Sequence, residues 1–357
     1  MLPALPVFLA LVSCATVPVV PTTGIDPANS LHAKNLDFED GRARFREIFC
    51  AILADHGHEL PDYEPCEEAL VSTNAEPPGR GKPVDLGPSD KAFLIGLVPG
   101  LGWQCVRKWL DNDRSGSRHV SKYGYDVRLF EVDGLSGIEN NAGQMRQQFA
   151  ALSDDDKERP VILIGYSKGA IDVLQAVTRY PEIRERVVAV VSVAGAVGGS
   201  PLAENASQAT MNLLAYLPKS GCETGDKGAV ESLRPETRRK WFSENPLPDS
   251  IRYYSVIAYS DPEHISFGLK PFYRELAAVD GRNDGKLIFY DQLIPGATLL
   301  ALVNADHWAM SIPVARQKPL NRSTFASQNE YPREALLEAI LRYVEEDLAE
   351  RSLPQHR

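Results

Sequence analysis

The sequence predicts an α/β fold, a mostly parallel sheet with helices on both faces and one long insertion. Three observations carry that prediction. Six short runs rich in Val, Ile and Leu recur from residue 92 onward. Between them stand segments whose apolar residues are spaced by three and four, as on a helix that covers a sheet. Late in the chain a connection of about fifty residues breaks the alternation, far beyond an ordinary loop.

The first run, Ala92–Val98, ends in the glycine-rich "PGLG". The second is Tyr125–Val132, and the helix after it carries Ile138, Ala142, Met145, Phe149 and Leu152 on one face. "VILIG" (161–165) is the third strand. A helix with Ala170, Ile171, Leu174 and Val177 inward follows it and stops before Pro181. "RVVAVVSVAG", "IRYYSVIAYS" and "ATLLALVNA" supply strands four to six. Pro332 opens a last helix with Leu336, Leu337, Ile340, Val344 and Leu348 on its apolar face.

Residues 86–357 therefore form the α/β domain. Ahead of it, residues 24–85 hold a helical segment, with Phe45, Ile48, Phe49, Ile52 and Leu53 on one face, and a Pro/Gly-rich linker. The insertion, residues 196–250, lies between the fourth and fifth of these strands and is expected to cap a site at the strand ends.

Residues 1–23 stand apart. Their apolar run is about a dozen residues long, too short to span a bilayer. It ends at "LVSC", which resembles a bacterial lipobox and makes Cys14 the lipidated first residue of a mature lipoprotein. A secretory signal cleaved nearby, with Cys14 discarded, is the other reading; no Lys or Arg precedes the run. Either way the protein is exported, to the periplasm or outer membrane of a bacterium or beyond, with membrane attachment through Cys14 in the first case. Four further cysteines then suit an oxidising compartment. Cys50 and Cys66 are near enough in sequence to pair, which leaves Cys105 with Cys222. His56 and His58 have no ligand partner at local metal-site spacing, so no metal is expected. A net charge of −10 excludes a nucleic-acid partner.

"GYSKG", Gly165 to Gly169, places Ser167 where the third strand becomes a helix. G-x-S-x-G in that context is a strained turn that exposes a nucleophilic serine. A serine needs a base to take its proton and an acid to orient the base, in the chain order Ser, acid, His. Of seven histidines only His264 and His307 follow in the required window, and His307 comes directly after the last strand. Asp284 stands 23 residues ahead of His307 in an "NDG" turn. It is the leading acid, with Asp261 and Asp280 as alternatives. The N–H groups of Lys168 and of Leu101, in the loop after the first strand, are the expected oxyanion donors, the Lys168 side chain being solvated.

With "GYSKG", "PGLGW", "NDGKL…IPGA" and "NADHW" in view, the chain resembles the α/β-hydrolase superfamily on its esterase and lipase side, over residues 91–348. Lipases often read HGLG where this chain has Pro99-Gly100-Leu101-Gly102, which carries the donor role to Leu101. The "NDG…PGA…DH" pattern is similar to lipase sequences in which that Asp is the triad acid. The resemblance implies hydrolysis of a small-molecule or lipid ester through an acyl-enzyme on Ser167, without cofactor. Acyl transfer on the same triad, or binding without catalysis, are the alternatives.

Overall fold

The computed structural model describes residues 37–73, 76–106, 115–206, 225–310, 316, 326–328 and 330–352. Residues 1–23 with Cys14 lie outside these residues, as do Cys222 and the side chain of Cys105, so the Cys105–Cys222 pairing falls outside them too.

The six apolar runs form strands β2 (Leu94–Val98), β3 (Asp126–Leu129), β4 (Val161–Tyr166), β5 (Val187–Val193), β6 (Arg252–Tyr259) and β7 (Thr298–Asn304). A seventh strand, β1 (Glu39–Asp40), was not legible: it is two acidic residues long and pairs with Thr298 and Leu299 at the sheet edge. Every pairing is parallel, in the order β1-β7-β6-β5-β4-β2-β3. The insertion lies between β5 and β6.

Seven helices matter to the argument: α1 (Arg42–His56), α2 (Ser115–Ser121), α3 (Ile138–Ala150), α4 (Lys168–Arg179), α5 (Pro235–Glu244), α6 (Lys270–Ala277) and α7 (Arg333–Ser352). Strand residues alternate between two cores, because successive side chains leave a strand on opposite faces. Ile162 and Ile164 of β4 pack with Phe45 and Phe49 of α1 and Leu336 and Ile340 of α7. Val161 and Leu163 pack instead with Met145 of α3 and Ile171 and Leu174 of α4. Both faces of the central strands are therefore buried, which is why these runs read as unbroken Val, Ile and Leu.

The segment ahead of residue 86 shares this core. Arg44 of α1, 3% exposed, is paired at 2.8 Å with Glu346 of α7. A disulfide between Cys50 and Cys66, with Cα atoms 5.2 Å apart, ties α1 to the short helix Cys66–Ala69. Among the described residues no helix is long and apolar enough to cross a membrane.

Two flanks of the insertion are described; residues 207–224 are not. The entry flank is fixed to the loop around Asp284: Gly198 N donates to Asp291 O at 2.7 Å and Ser200 Oγ to Lys286 O at 2.7 Å. The exit flank joins it, Ser200 N donating to Leu233 O at 2.8 Å, and is tied as well to the loop after β3 and to α4. Asp226 Oδ1 accepts from Gly137 N at 2.8 Å, and Trp241 of α5 is buried against α4, its indole N–H donating to Gln175. Beneath α5, Arg238 is fully buried, its Nε donating to Val197 O at 3.0 Å and its guanidinium 4.6 Å from the Trp241 ring centroid.

Candidate active site

Strand β4 turns directly into α4, and Ser167 sits at the turn with φ 54° and ψ −123°. A non-glycine residue at positive φ is uncommon, and at a strand-to-helix turn it holds its side chain clear of both elements. The neighbouring glycines are required by space. A Cβ on Gly165 would lie 2.5 Å from Ala170 Cα, and one on Gly169 would lie 2.3 Å from Val98 O. Only hydrogen at both places lets α4 start this close to β2 and β4.

His307 follows β7, and its Nε2 lies 2.9 Å from Ser167 Oγ. Its Nδ1 is 2.6 Å from Asp284 Oδ2. Asp284 is fully buried, and its other oxygen accepts from Lys286 N at 2.8 Å and Leu287 N at 2.7 Å. His307 N donates back to Asp284 O at 2.8 Å, so backbone and side chain both hold the two loops together. The alternatives lie elsewhere: Asp280 pairs with Arg282 at 2.8 Å, and Asp261 is exposed after β6. His264 is exposed in the same loop.

The turn after β2 closes over the serine. Gly100 approaches it so nearly that a Cβ there would stand 2.8 Å from Ser167 Cβ. Gly102 N donates to Gly134 O at 3.1 Å, which anchors the turn carrying Leu101. Lys168 opens α4, so its N–H is among those a helix leaves without an intrahelical acceptor. A cavity of about 590 Å³ runs from this turn, walled mainly by apolar groups including Val98, Leu129, Tyr166, Met310 and Leu337.

Among solved structures, a metagenomic carboxyl esterase is 41% identical over 91% of this chain and 96% of its own, with a TM-score of 0.82. This chain belongs to the α/β-hydrolase esterases. A Bacillus licheniformis lipase in its mature form (23% identity, 64% of this chain and 89% of its own, TM-score 0.51) shares the fold. So does Staphylococcus hyicus lipase (12% identity, 75% of this chain and 100% of its own, TM-score 0.52). No family profile matches the sequence, and no curated protein does.

The hydrolase carries supports around Ser167 and His307 that sequence reasoning missed. Tyr166 donates its hydroxyl proton to His307 O, and its ring lies 5.1 Å from the imidazole. It occupies the variable position of G-x-S-x-G, so the motif gave no signal for it. Asp306 turns away from the serine and accepts from Ser266 N and Ala309 N, both at 2.9 Å, shaping the loop that presents His307. Lys286 lies with its ammonium 3.4 Å from the Phe272 ring centroid. Burial pushes it down to about 8, against the pull of Asp284.

The Lys168 side chain corrects an expectation. It is 1% exposed, not solvated, and its ammonium meets Asp172 Oδ1 at 2.7 Å and Oδ2 at 3.0 Å. Asn141 bridges this pair to the loop after β3, donating to Asp172 Oδ2 at 2.9 Å and to Asp133 O at 3.0 Å. Burial drives the Asp172 carboxyl upward while Lys168 and Asn141 oppose the shift. Lys168→Met strands a buried carboxylate and is expected to cost about 3–5 kcal/mol. Lys168→Met combined with Asp172→Leu is expected to recover most of that loss; denaturant unfolding of the three variants tests it. A double variant as unstable as the single one would mean that the pair is not the cause.

Proposed function

We propose that the protein is a serine carboxylic-ester hydrolase acting through an acyl-enzyme on Ser167. The observation that carries this reading is Ser167 Oγ, at a positive φ, 2.9 Å from His307 Nε2, with Nδ1 of the same ring 2.6 Å from the buried Asp284. His307 Nε2 takes the hydroxyl proton as Ser167 Oγ attacks the ester carbonyl carbon. Asp284, held ready by two backbone N–H groups, fixes the Nδ1–H tautomer and stabilises the imidazolium. The N–H groups of Leu101 and Lys168 receive the oxyanion, aided by the positive end of α4. Collapse expels the alcohol with the proton from His307, and water, deprotonated by the same ring, releases the acid. The experiment is covalent labelling by a fluorophosphonate alongside turnover of p-nitrophenyl esters, in wild type and in Ser167→Ala.

The cavity beside Leu101 suits an apolar acyl chain, and the insertion suits a cap. Support for the cap comes from its flanks, one fixed beside Asp284 and the other beside the loop that anchors Gly102. Replacing residues 207–224 by a short Gly/Ser linker is expected to lower kcat/KM for p-nitrophenyl decanoate about tenfold and leave the acetate ester nearly unchanged. An equal effect on both esters would remove the cap from the account.

Export through residues 1–23 completes the reading, and the Cys50–Cys66 disulfide supports it, since such bonds persist in oxidising compartments. The mass of the mature N-terminus tells lipidation of Cys14 from simple cleavage.

A further inference from the structure

On helices that carry none of the three residues above, the side chains of His56, His119 and Glu338 converge from α1, α2 and α7. We propose that they bind a first-row divalent cation, zinc by the chemistry of its donors, at a site that pins the three helices together. Glu338 Oε2 lies 3.0 Å from His56 Nε2 and 2.6 Å from His119 Nε2. The three donor atoms all fall within 4.8 Å of one another. Donors on one tetrahedral zinc at about 2.0–2.1 Å stand roughly 3.3 Å apart. Admitting an ion therefore lengthens the two contacts of Glu338, by about 0.3 Å to His56 and about 0.7 Å to His119. Two imidazoles and a carboxylate form a three-ligand zinc set that leaves the fourth position to water.

The surroundings of the cluster resemble those of a metal-binding histidine. His56 Nδ1 lies 2.9 Å from Asp55 Oδ2, the carboxylate partner that commonly takes the second N–H of a ligating imidazole. With that proton on Nδ1, the Nε2 lone pair points at a carboxylate oxygen 3.0 Å away. Acceptor then faces acceptor, and a cation between them resolves the conflict; the competing solutions are a second proton on the ring, or a proton on Nε2 with Nδ1 accepting from the Tyr123 hydroxyl 3.4 Å away. Arg342 Nε binds only Glu338 Oε1, at 2.7 Å, and spends its other N–H groups on the carbonyls of Asp85, Leu86 and Gly87. That leaves Oε2 for the ion. The Tyr123 ring covers both imidazoles, with centroids 5.5 and 5.4 Å from them. His119 is 5% exposed and Glu338 fully buried, so the ion would be shielded from bulk water. His119 Nδ1 has no partner among the described residues, and that holds with an ion or with a proton alike. The set is not legible from local spacing, because Glu338 stands 219 residues from His119.

The test uses the mature, untagged protein, stripped with a chelator and then supplied with Zn²⁺. One equivalent is expected to survive desalting, and the thermal midpoint to rise by roughly 5 °C at a hundredfold excess over Kd. Cobalt(II) in its place is expected to give the visible absorption of a tetrahedral N/O site. His119→Asn and, in case that variant does not fold, His56→Asn at the more open ring are both expected to lose the bound ion and the midpoint shift. His264→Asn, an exposed histidine elsewhere, is expected to keep both. Fluorophosphonate labelling serves as the check that each variant is folded, and separates failure of this site from failure of the esterase chemistry. The proposal is overturned if wild type retains less than a tenth of an equivalent with no midpoint shift. It is also overturned if folded His119→Asn or His56→Asn retains the ion as wild type does.

Discussion

Ser167→Ala is expected to abolish fluorophosphonate labelling and to lower p-nitrophenyl ester turnover by about a million-fold, the scale on which loss of a catalytic serine acts. The fold should survive, because the substitution removes one oxygen and no packing. The position has φ 54°, which alanine tolerates no better than serine, so any stability change should stay small. Residual activity should not be zero: oxyanion donors and substrate binding alone still assist attack by water. Turnover within tenfold of wild type would move the nucleophile away from Ser167 and sink the acyl-enzyme reading. Labelling that persists at another serine would do the same.

How much of this could be read from the sequence varies with the distance over which each feature is determined. Ser167 was legible because its geometry is local: an apolar strand, two glycines at fixed offsets and an amphipathic helix are contiguous. His307 was legible by position, since the last apolar run ends two residues before it. The choice among Asp261, Asp280 and Asp284 was not decided by spacing, because all three follow strands or turns within reach of His307. What separates them is the fold of one loop. Asn283 bridges Ser260 and Ile288, which swings Asp284 inward to the N–H groups of Lys286 and Leu287, while Asp280 is left to Arg282. Strand β1 escaped because two acidic residues have no hydrophobic period to read. Lys168 misled for a physical reason: a lysine at a helix start is normally solvated, and only Asp172 four residues on, together with Asn141 from α3, gives it a buried partner.

Asp284→Asn is the sharper test of the whole arrangement, because it alters charge and leaves shape. Turnover is expected to fall about 10⁴-fold. An asparagine can offer its carbonyl or its amide to His307 Nδ1. The oxygen on the far side is committed to Lys286 N and Leu287 N, so the amide nitrogen is directed at the imidazole. It donates where the aspartate accepted, which drives the ring proton to Nε2. The ring then presents a donor to Ser167 Oγ, and no base remains to take the hydroxyl proton. Binding of substrate should change little, so the loss belongs in kcat and not in KM. Raising the pH should not restore the rate, since the tautomer and not the charge of the ring is at fault. Asp280→Asn and Asp261→Asn, placed outside this contact, should stay within a few fold of wild type. If either of them falls as far as Asp284→Asn, or if Asp284→Asn keeps more than a tenth of the activity, the acid has been assigned to the wrong residue.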